Sequence, residues 1–164
     1  MKKLLISLLF SIPALAQDGF RANGSNIVWE KSFPADNANI VALLDKQPNL
    51  KVASFMDNVY KGKGDQIKNN CASGSGLMKN DCKFDFIIMV NPDYYVVKVT
   101  NLKILEKFGP MQARTVANPC EKYFLNKQGL KSDDKTSTDL GCLDSYLSSV
   151  FSMGGTAGEA LTSN

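Results

Sequence analysis

The residue types that could carry out chemistry are few, because the 164-residue sequence contains no histidine. This excludes Ser-His-Asp and Cys-His nucleophile systems, histidine-ligated metal sites and histidine-based pH switches. Carboxylates remain as acid–base candidates. Asp81 and Asp85 flank the start of the clearest predicted strand, and Asp57 and Asp93 lie at strand ends. A glycoside hydrolase needs two carboxyl groups facing one cleft, so an envelope or extracellular glycan hydrolase with an Asp pair is our alternative hypothesis.

Other nucleophile motifs are not supported by their surroundings. Ser132 and Lys135 match the Ser-x-x-Lys motif of some acyl-transfer enzymes. The intervening residues are Asp133 and Asp134, so the motif lies in a charged segment where the lysine stays protonated and the serine is not activated. We therefore predict no catalytic residue, no metal site and no cofactor.

The four cysteines favour a structural role. Cys71, Cys82, Cys120 and Cys142 are even in number and contain no Cys-x-x-Cys pair. In an exported chain such a set predicts disulfide bonds. Four cysteines allow three connectivities, and proximity in sequence favours Cys71–Cys82 with Cys120–Cys142.

The N-terminus has the three parts of an export signal. Lysines at positions 2 and 3 precede an apolar run over 4–15, and Ala14-Leu15-Ala16 places small residues at a cleavage site. The apolar run is too short for a membrane-spanning helix. We predict a signal peptide over 1–16, a periplasmic or secreted protein, and no stable membrane anchor after cleavage.

The charge of the chain argues against nucleic acid as the partner. The net charge of +3 would fall to +1 when Lys2 and Lys3 leave with the signal peptide. Only Arg21 and Arg114 are arginines, whereas nucleic-acid binders concentrate basic residues and use arginine on phosphates and bases. The densest cationic stretch, Lys61–Gly64 with Lys68, is predicted to be a solvated loop, and 61–80 as a whole is predicted to be a loop or an irregular hairpin.

The first half of the chain predicts a strand, a helix and a second strand. Ile27–Phe33 alternates as a strand, with Trp29 on its core face. Asp36 is the predicted N-cap of the following helix, and Pro48 ends that helix. Residues 50–60 form the second strand.

A hairpin and two helices are predicted to follow. Lys83–Val90 and Tyr94–Leu105 alternate around a turn at 91–93, with a bulge near Thr100-Asn101. Asn118 caps a helix that ends at Gly129, and a last helix covers 139–153. We predict one α+β domain over 17–153: an antiparallel sheet of about four strands, with helices packed on one face and two C-terminal helices. Residues 154–164 are a predicted disordered tail.

Three of these elements resemble a known family. The Ile27–Phe33 strand, the short helix after it and the Tyr95–Leu102 strand are similar to an uncharacterised family of exported bacterial domains, whose fold is like that of the TATA-box-binding protein. The resemblance covers about residues 25–105. It implies a fold and a compartment but no reaction.

Two tyrosines are the candidate binding residues. Tyr94 follows a turn and is predicted to be exposed, and Tyr60 ends a predicted strand. Amphipathic aromatic side chains at sheet edges are enriched in interfaces. We therefore interpret the chain as an exported, disulfide-stabilised, non-enzymatic domain that binds an unknown protein or apolar ligand through one sheet face.

Overall fold

A computed structural model describes residues 19–35, 39–67 and 74–153 of the chain. The predicted signal peptide, the predicted C-terminal tail, Asp36 and Cys71 lie outside these ranges. Within them, no helix is both long enough and apolar enough to cross a membrane.

Most of the described chain forms one antiparallel sheet of seven strands, in the order β1-β2-β6-β5-β4-β3, with β7 paired to the second half of β6. A separate hairpin joins β8 and β9. The strands are β1 (Gly19–Asn23), β2 (Asn26–Pro34), β3 (Leu50–Met56), β4 (Val59–Ile67), β5 (Asp81–Val90), β6 (Tyr94–Phe108), β7 (Arg114–Pro119), β8 (Leu125–Asn126) and β9 (Gly129–Leu130). The helices are α1 (Ile40–Asp45), α2 (Glu121–Phe124) and α3 (Asp134–Phe151).

The predicted sheet of about four strands with two C-terminal helices is wrong, although the class is α+β. The additional strands are β1, β4 and β7. β1 lies in the small and polar segment before the predicted Ile27–Phe33 strand, β4 lies mostly in the predicted loop, and β7 lies in the predicted connection after the Tyr94–Leu105 strand. These segments are rich in small and polar residues with weak strand propensity. They become strands because each pairs with a more apolar neighbour, and such tertiary pairing overrides intrinsic propensity.

The β3–β4 hairpin explains why the apolar residues over 50–60 do not alternate as they would along one continuous strand. Asp57 and Asn58 form the turn with φ values of +50° and +62°. Two successive left-handed residues are what a two-residue hairpin turn of type I′ requires, and Asp and Asn tolerate that conformation. The chain therefore reverses inside the segment predicted to be one strand.

The predicted β5–β6 hairpin and the bulge on its second strand are confirmed. Lys83 pairs with Lys103 and Asp85 pairs with Thr100, so β6 contains one extra residue between them. Asn101 supplies it, with φ of +53°. The extra residue keeps the apolar residues of both halves of β6 on the same side of the sheet.

The long helix α3 packs on one side of the sheet, which we call the inner face; the opposite side is the outer face. The Phe151 ring of α3 lies 6.2 Å from the Trp29 ring and 5.6 Å from the Phe86 ring. Phe84 completes this aromatic cluster at 6.1 Å. The buried Tyr95 hydroxyl donates a hydrogen bond of 2.6 Å to the carbonyl of Phe151.

The helix boundaries differ from the prediction because of capping side chains. Asn39 caps α1, and its side chain accepts a hydrogen bond of 3.0 Å from the Ala42 amide. Asp133 caps α3 by accepting from the Thr136 amide at 2.9 Å, so this helix begins at Asp134 and not at position 139.

The helix predicted from Asn118 is wrong. Asn118 and Pro119 are the last residues of β7, where Ile104 and Lys103 of β6 are their partners. Only one helical turn, α2, follows before the β8–β9 hairpin. The described C-terminal region therefore contains one long helix.

Candidate functional site

Two of the cysteines are buried free thiols. Cys82 and Cys120 both lie in the core, so neither pairing favoured by proximity is formed. Burial, and secondarily the carboxylate of Asp81, raises the pKa of Cys82 to about 12. Burial, followed by Glu121, also raises the pKa of Cys120. Since the thiolate is the reactive species, these neutral thiols are not nucleophiles at physiological pH.

Helix α3 holds the chain just before β5. The buried carboxylate of Asp139 accepts hydrogen bonds of 2.7 Å from both the amide and the hydroxyl of Ser75. The sulfur of Cys142 lies 3.2 Å from the position that a Cβ atom would occupy at Gly74. Residues 74–75 are thus fixed to the helix by polar contacts and by close packing.

The candidate carboxylate pair does not form a hydrolase site. Asp81 and Asp85 are four residues apart on β5, which corresponds to about 13 Å along an extended strand. Paired glycosidase carboxyl groups lie about 5–9.5 Å apart. Asp57 lies in the β3–β4 turn, and Asp93 lies in the turn between β5 and β6. In the described ranges no group of three or more Cys, Asp or Glu side chains could hold a metal ion.

The two candidate tyrosines lie on opposite faces of the sheet. Tyr94 is 47% exposed, which confirms its predicted exposure. It precedes Tyr95, whose side chain is in the core on the inner face, so Tyr94 lies on the outer face. Tyr60 pairs with the buried Ile88 and packs against the core on the inner face. The structure therefore does not bring Tyr94 and Tyr60 into one site.

Tyr60 instead belongs to an apolar surface that the sequence analysis missed. The Phe55 ring lies 4.4 Å from the Tyr60 ring across the β3–β4 hairpin. Phe55 is 57% exposed and Met56 is 72% exposed, and Val52 is exposed on the same strand. Met56 follows Phe55 directly and therefore lies on the outer face. We call Val52, Phe55 and Tyr60, which share the inner face, the edge patch. The irregular spacing of apolar residues over 50–60 was the one signal in the sequence that could have indicated the edge patch.

The edge patch lies at a free margin of the sheet. β3 is the last strand of the order, and among the described residues no strand pairs with its other edge. Of its seven residues only Leu50 is buried. An edge strand presents unpaired N–H and C=O groups that can pair with another chain.

A second surface, on the outer face, is strongly cationic. Lys51 pairs directly with Lys63, and Lys83 pairs directly with Lys103. These four residues, which we call the lysine cluster, line an open cavity of about 460 Å³. Lys63 was predicted to lie in a loop, and the cluster is not apparent from the sequence because it exists only in the register of β3 to β6.

Two carboxylates accompany the lysine cluster, and they do not neutralise it. Asp65 and Asp85 line the same cavity, so four lysines face two acids. Asp85 accepts a hydrogen bond of 3.0 Å from the side-chain amide of Asn101. In the part of the chain that the structure describes, the ion pairs within 4.0 Å are Arg21–Glu30 and Lys31–Asp144, which do not involve the cluster.

Comparison with known proteins gives structural neighbours only. No protein-family model matches the sequence. No curated protein matches it significantly. A TBP-like protein from Parabacteroides distasonis is 10% identical, with a TM-score of 0.48 over 79% of this chain and 92% of that one. A DUF4468 family protein from Bacteroides ovatus is 14% identical, with a TM-score of 0.40 over 76% of this chain and 81% of that one.

These neighbours confirm the weak resemblance to an uncharacterised family with a TBP-like fold. At these identities the likeness concerns the fold alone and assigns no activity.

Proposed function

We propose that the protein is an exported, disulfide-stabilised, non-enzymatic domain that binds an extended segment of a partner protein at the edge patch. The observation that carries the proposal is the position of Val52 and Phe55, exposed together on the inner face of an edge strand whose second edge is open among the described residues. An added strand would gain main-chain hydrogen bonds from the edge and affinity from the exposed side chains.

The chemistry of the edge patch favours a partner segment of alternating character. Successive side chains of a strand point to opposite faces. A segment added beside β3 would therefore place every second side chain against Phe55 and Val52 on the inner face, and the others on the side of Lys51. Apolar residues suit the first set and acidic residues suit the second. A second copy of this chain would instead bring its own Lys51 into the same interface.

The edge-patch proposal is tested with extended peptides selected by phage display on the purified domain. We expect the enriched peptides to alternate apolar and acidic residues, and Phe55→Ser to weaken their binding at least about tenfold, because a buried aromatic anchor is lost. Phe108→Ser is the matched control, since Phe108 is also exposed but lies at the far end of β6. Fluorescence anisotropy of labelled peptides measures the affinities.

Three outcomes would overturn the edge-patch proposal. Selection could yield no strand-like peptide, or Phe108→Ser could weaken binding as much as Phe55→Ser does. Sedimentation could also detect a dimer that Phe55→Ser dissociates, in which case the edge serves self-association.

Export and a disulfide bond form the second part of the proposed function. Cys82 and Cys120 are free, so Cys71 and Cys142 are the cysteines left to form a bond. Support comes from the Cys142 sulfur, which lies beside Gly74, three residues after Cys71 in sequence. Such a bond would contribute roughly 2–4 kcal/mol to the free energy of unfolding.

An intact mass of the native exported protein, denatured and alkylated without reduction, tests this second part. We expect a chain that begins at Gln17, is two hydrogens lighter than the fully reduced form, and carries two alkyl groups. Peptide mapping should place those groups on Cys82 and Cys120. Four alkyl groups would refute the disulfide, and a chain that retains residues 1–16 would refute cleavage of an export signal.

A further inference from the structure

We propose that the lysine cluster on the outer face is a binding site for an extended chain of phosphate groups. The first argument is the arrangement of like charges. Lys51 lies directly opposite Lys63, and Lys83 directly opposite Lys103. Like charges at directly opposed positions of neighbouring strands destabilise a sheet. Lys63 is also directly opposite Asp85 on β5, so the acids offset part of the charge, and the four lysines and two acids of the cavity leave an excess positive charge that a bound polyanion would neutralise.

The second argument is the shape of the surface. The 460 Å³ cavity of the lysine cluster adjoins a second open cavity of about 550 Å³, and the two share Asn101 and Lys103. The second cavity adds Lys98, which lies on the outer face two strands from Lys61, and one acid, Glu121. Cationic side chains thus continue across the outer face from β3 to β6. A chain of several phosphates fits this length better than a single ion does.

The third argument is the chemistry of the side chains. The cationic residues here are all lysines, which act as compact point charges toward phosphate, whereas arginine forks recognise planar or bidentate groups. Among the described residues that line the two cavities, Phe84 is the one aromatic residue, and it is buried against the inner face. Surfaces that bind single-stranded nucleic acid stack bases on exposed aromatic rings. The surface is therefore suited to a phosphate chain without bases.

The proposal is tested with inorganic polyphosphate as the probe, by calorimetric titration at several salt concentrations. We expect the wild-type protein to bind polyphosphate with an affinity that falls as salt rises. The double variant Lys63→Gln/Lys83→Gln should lose at least about tenfold in affinity. The slope of log affinity against log salt should fall by about 1.5, because two phosphate contacts are removed.

A charge-matched control separates a site from a general effect of net charge. Lys46→Gln/Lys135→Gln removes the same charge from exposed positions that line neither cavity, at the C-cap of α1 and in the first turn of α3. This control should retain the wild-type affinity and slope. Circular dichroism should show that the cluster variant is folded at the assay temperature, because both substituted side chains are on the outer face and outside the core. Lost binding would then not reflect unfolding.

Several results would overturn the phosphate-chain proposal. These are no binding of polyphosphate by the wild type, an unchanged affinity in the cluster variant, or an equal loss in the control variant. Tighter binding of single-stranded DNA than of polyphosphate would assign the surface to nucleic acid instead. The edge-patch proposal shares Lys51 with the cluster, but the two tests are distinguishable, because that proposal is tested with Phe55→Ser and peptide ligands and the cluster variant leaves Phe55 and Lys51 unchanged.

Discussion

Phe151→Ala is expected to lower the free energy of unfolding by about 3–5 kcal/mol. Phe151 is completely buried at the end of α3, and its ring contacts the rings of Trp29, Phe84 and Phe86. Removing the ring leaves a cavity between the helix and the sheet that a rigid aromatic cluster cannot close. Typical domains are stable by about 5–15 kcal/mol, so this one substitution removes a large share of the stability.

Chemical denaturation followed by the fluorescence of Trp29, the only tryptophan, measures the effect of Phe151→Ala. Phe108→Ala is the control, because Phe108 is 47% exposed and its loss should change stability by no more than about 0.5 kcal/mol. Similar losses in the two variants would mean that α3 is not packed on the inner face as described.

Gly62→Ala is the second substitution with a large expected effect, at or above the upper end of the roughly 1–3 kcal/mol that overpacking costs. A Cβ atom at Gly62 would lie 2.4 Å from the carbonyl oxygen of Lys51 and 2.5 Å from Cζ of Phe86. The first contact is with backbone of β3, and the second is with a ring held in the core. Neither can move without disturbing the pairing of β3, β4 and β5.

Gly141→Ala should have the opposite sign and serves as the control for Gly62→Ala. Gly141 is exposed within α3, and a Cβ atom there would have no neighbour within 4 Å. Alanine in a helix interior is favoured over glycine by about 0.5–1 kcal/mol. Thermal unfolding monitored by circular dichroism measures both variants. Equal effects of the two substitutions would contradict the close approach of the Lys51 carbonyl and the Phe86 ring to Gly62.

The elements that could be predicted from the sequence are those in which apolar residues recur at the spacing of a strand or a helix. β5 alternates between buried and more exposed side chains, and β2 buries the predicted face of Ile27, Trp29 and Phe33, with Val28 buried as well. The bulge at Asn101 was predictable because the apolar parity changes there. Phe151 and Leu147 were correctly placed on the buried side of the last helix.

The elements that could not be predicted are those that depend on a partner strand. β4 contains the loop-like sequence Lys61-Gly62-Lys63-Gly64, and β7 ends in the Asn118-Pro119 motif that is typical of a helix start. Their strand conformation is set by β5 and β6, which local sequence does not reveal. The edge patch and the lysine cluster were missed for the same reason, since Phe55 meets Tyr60 and Lys83 meets Lys103 only across strands.

The pairing of β2 with β6 has a consequence for the order in which the sheet can assemble. Pro34 pairs with Tyr94 and Trp29 pairs with Val99, so the paired residues of β2 and β6 lie far apart in sequence. By contrast, each of the strands β3 to β7 pairs with the strand that precedes or follows it in the chain. During synthesis from the N-terminus, β1 and β2 therefore exist without their sheet partner until β6 has been made. An isolated two-stranded hairpin is marginal in water. Ile27, Trp29 and Phe33 consequently stay uncovered for most of the time that the nascent chain is growing, which makes this segment the part most in need of protection before folding is complete.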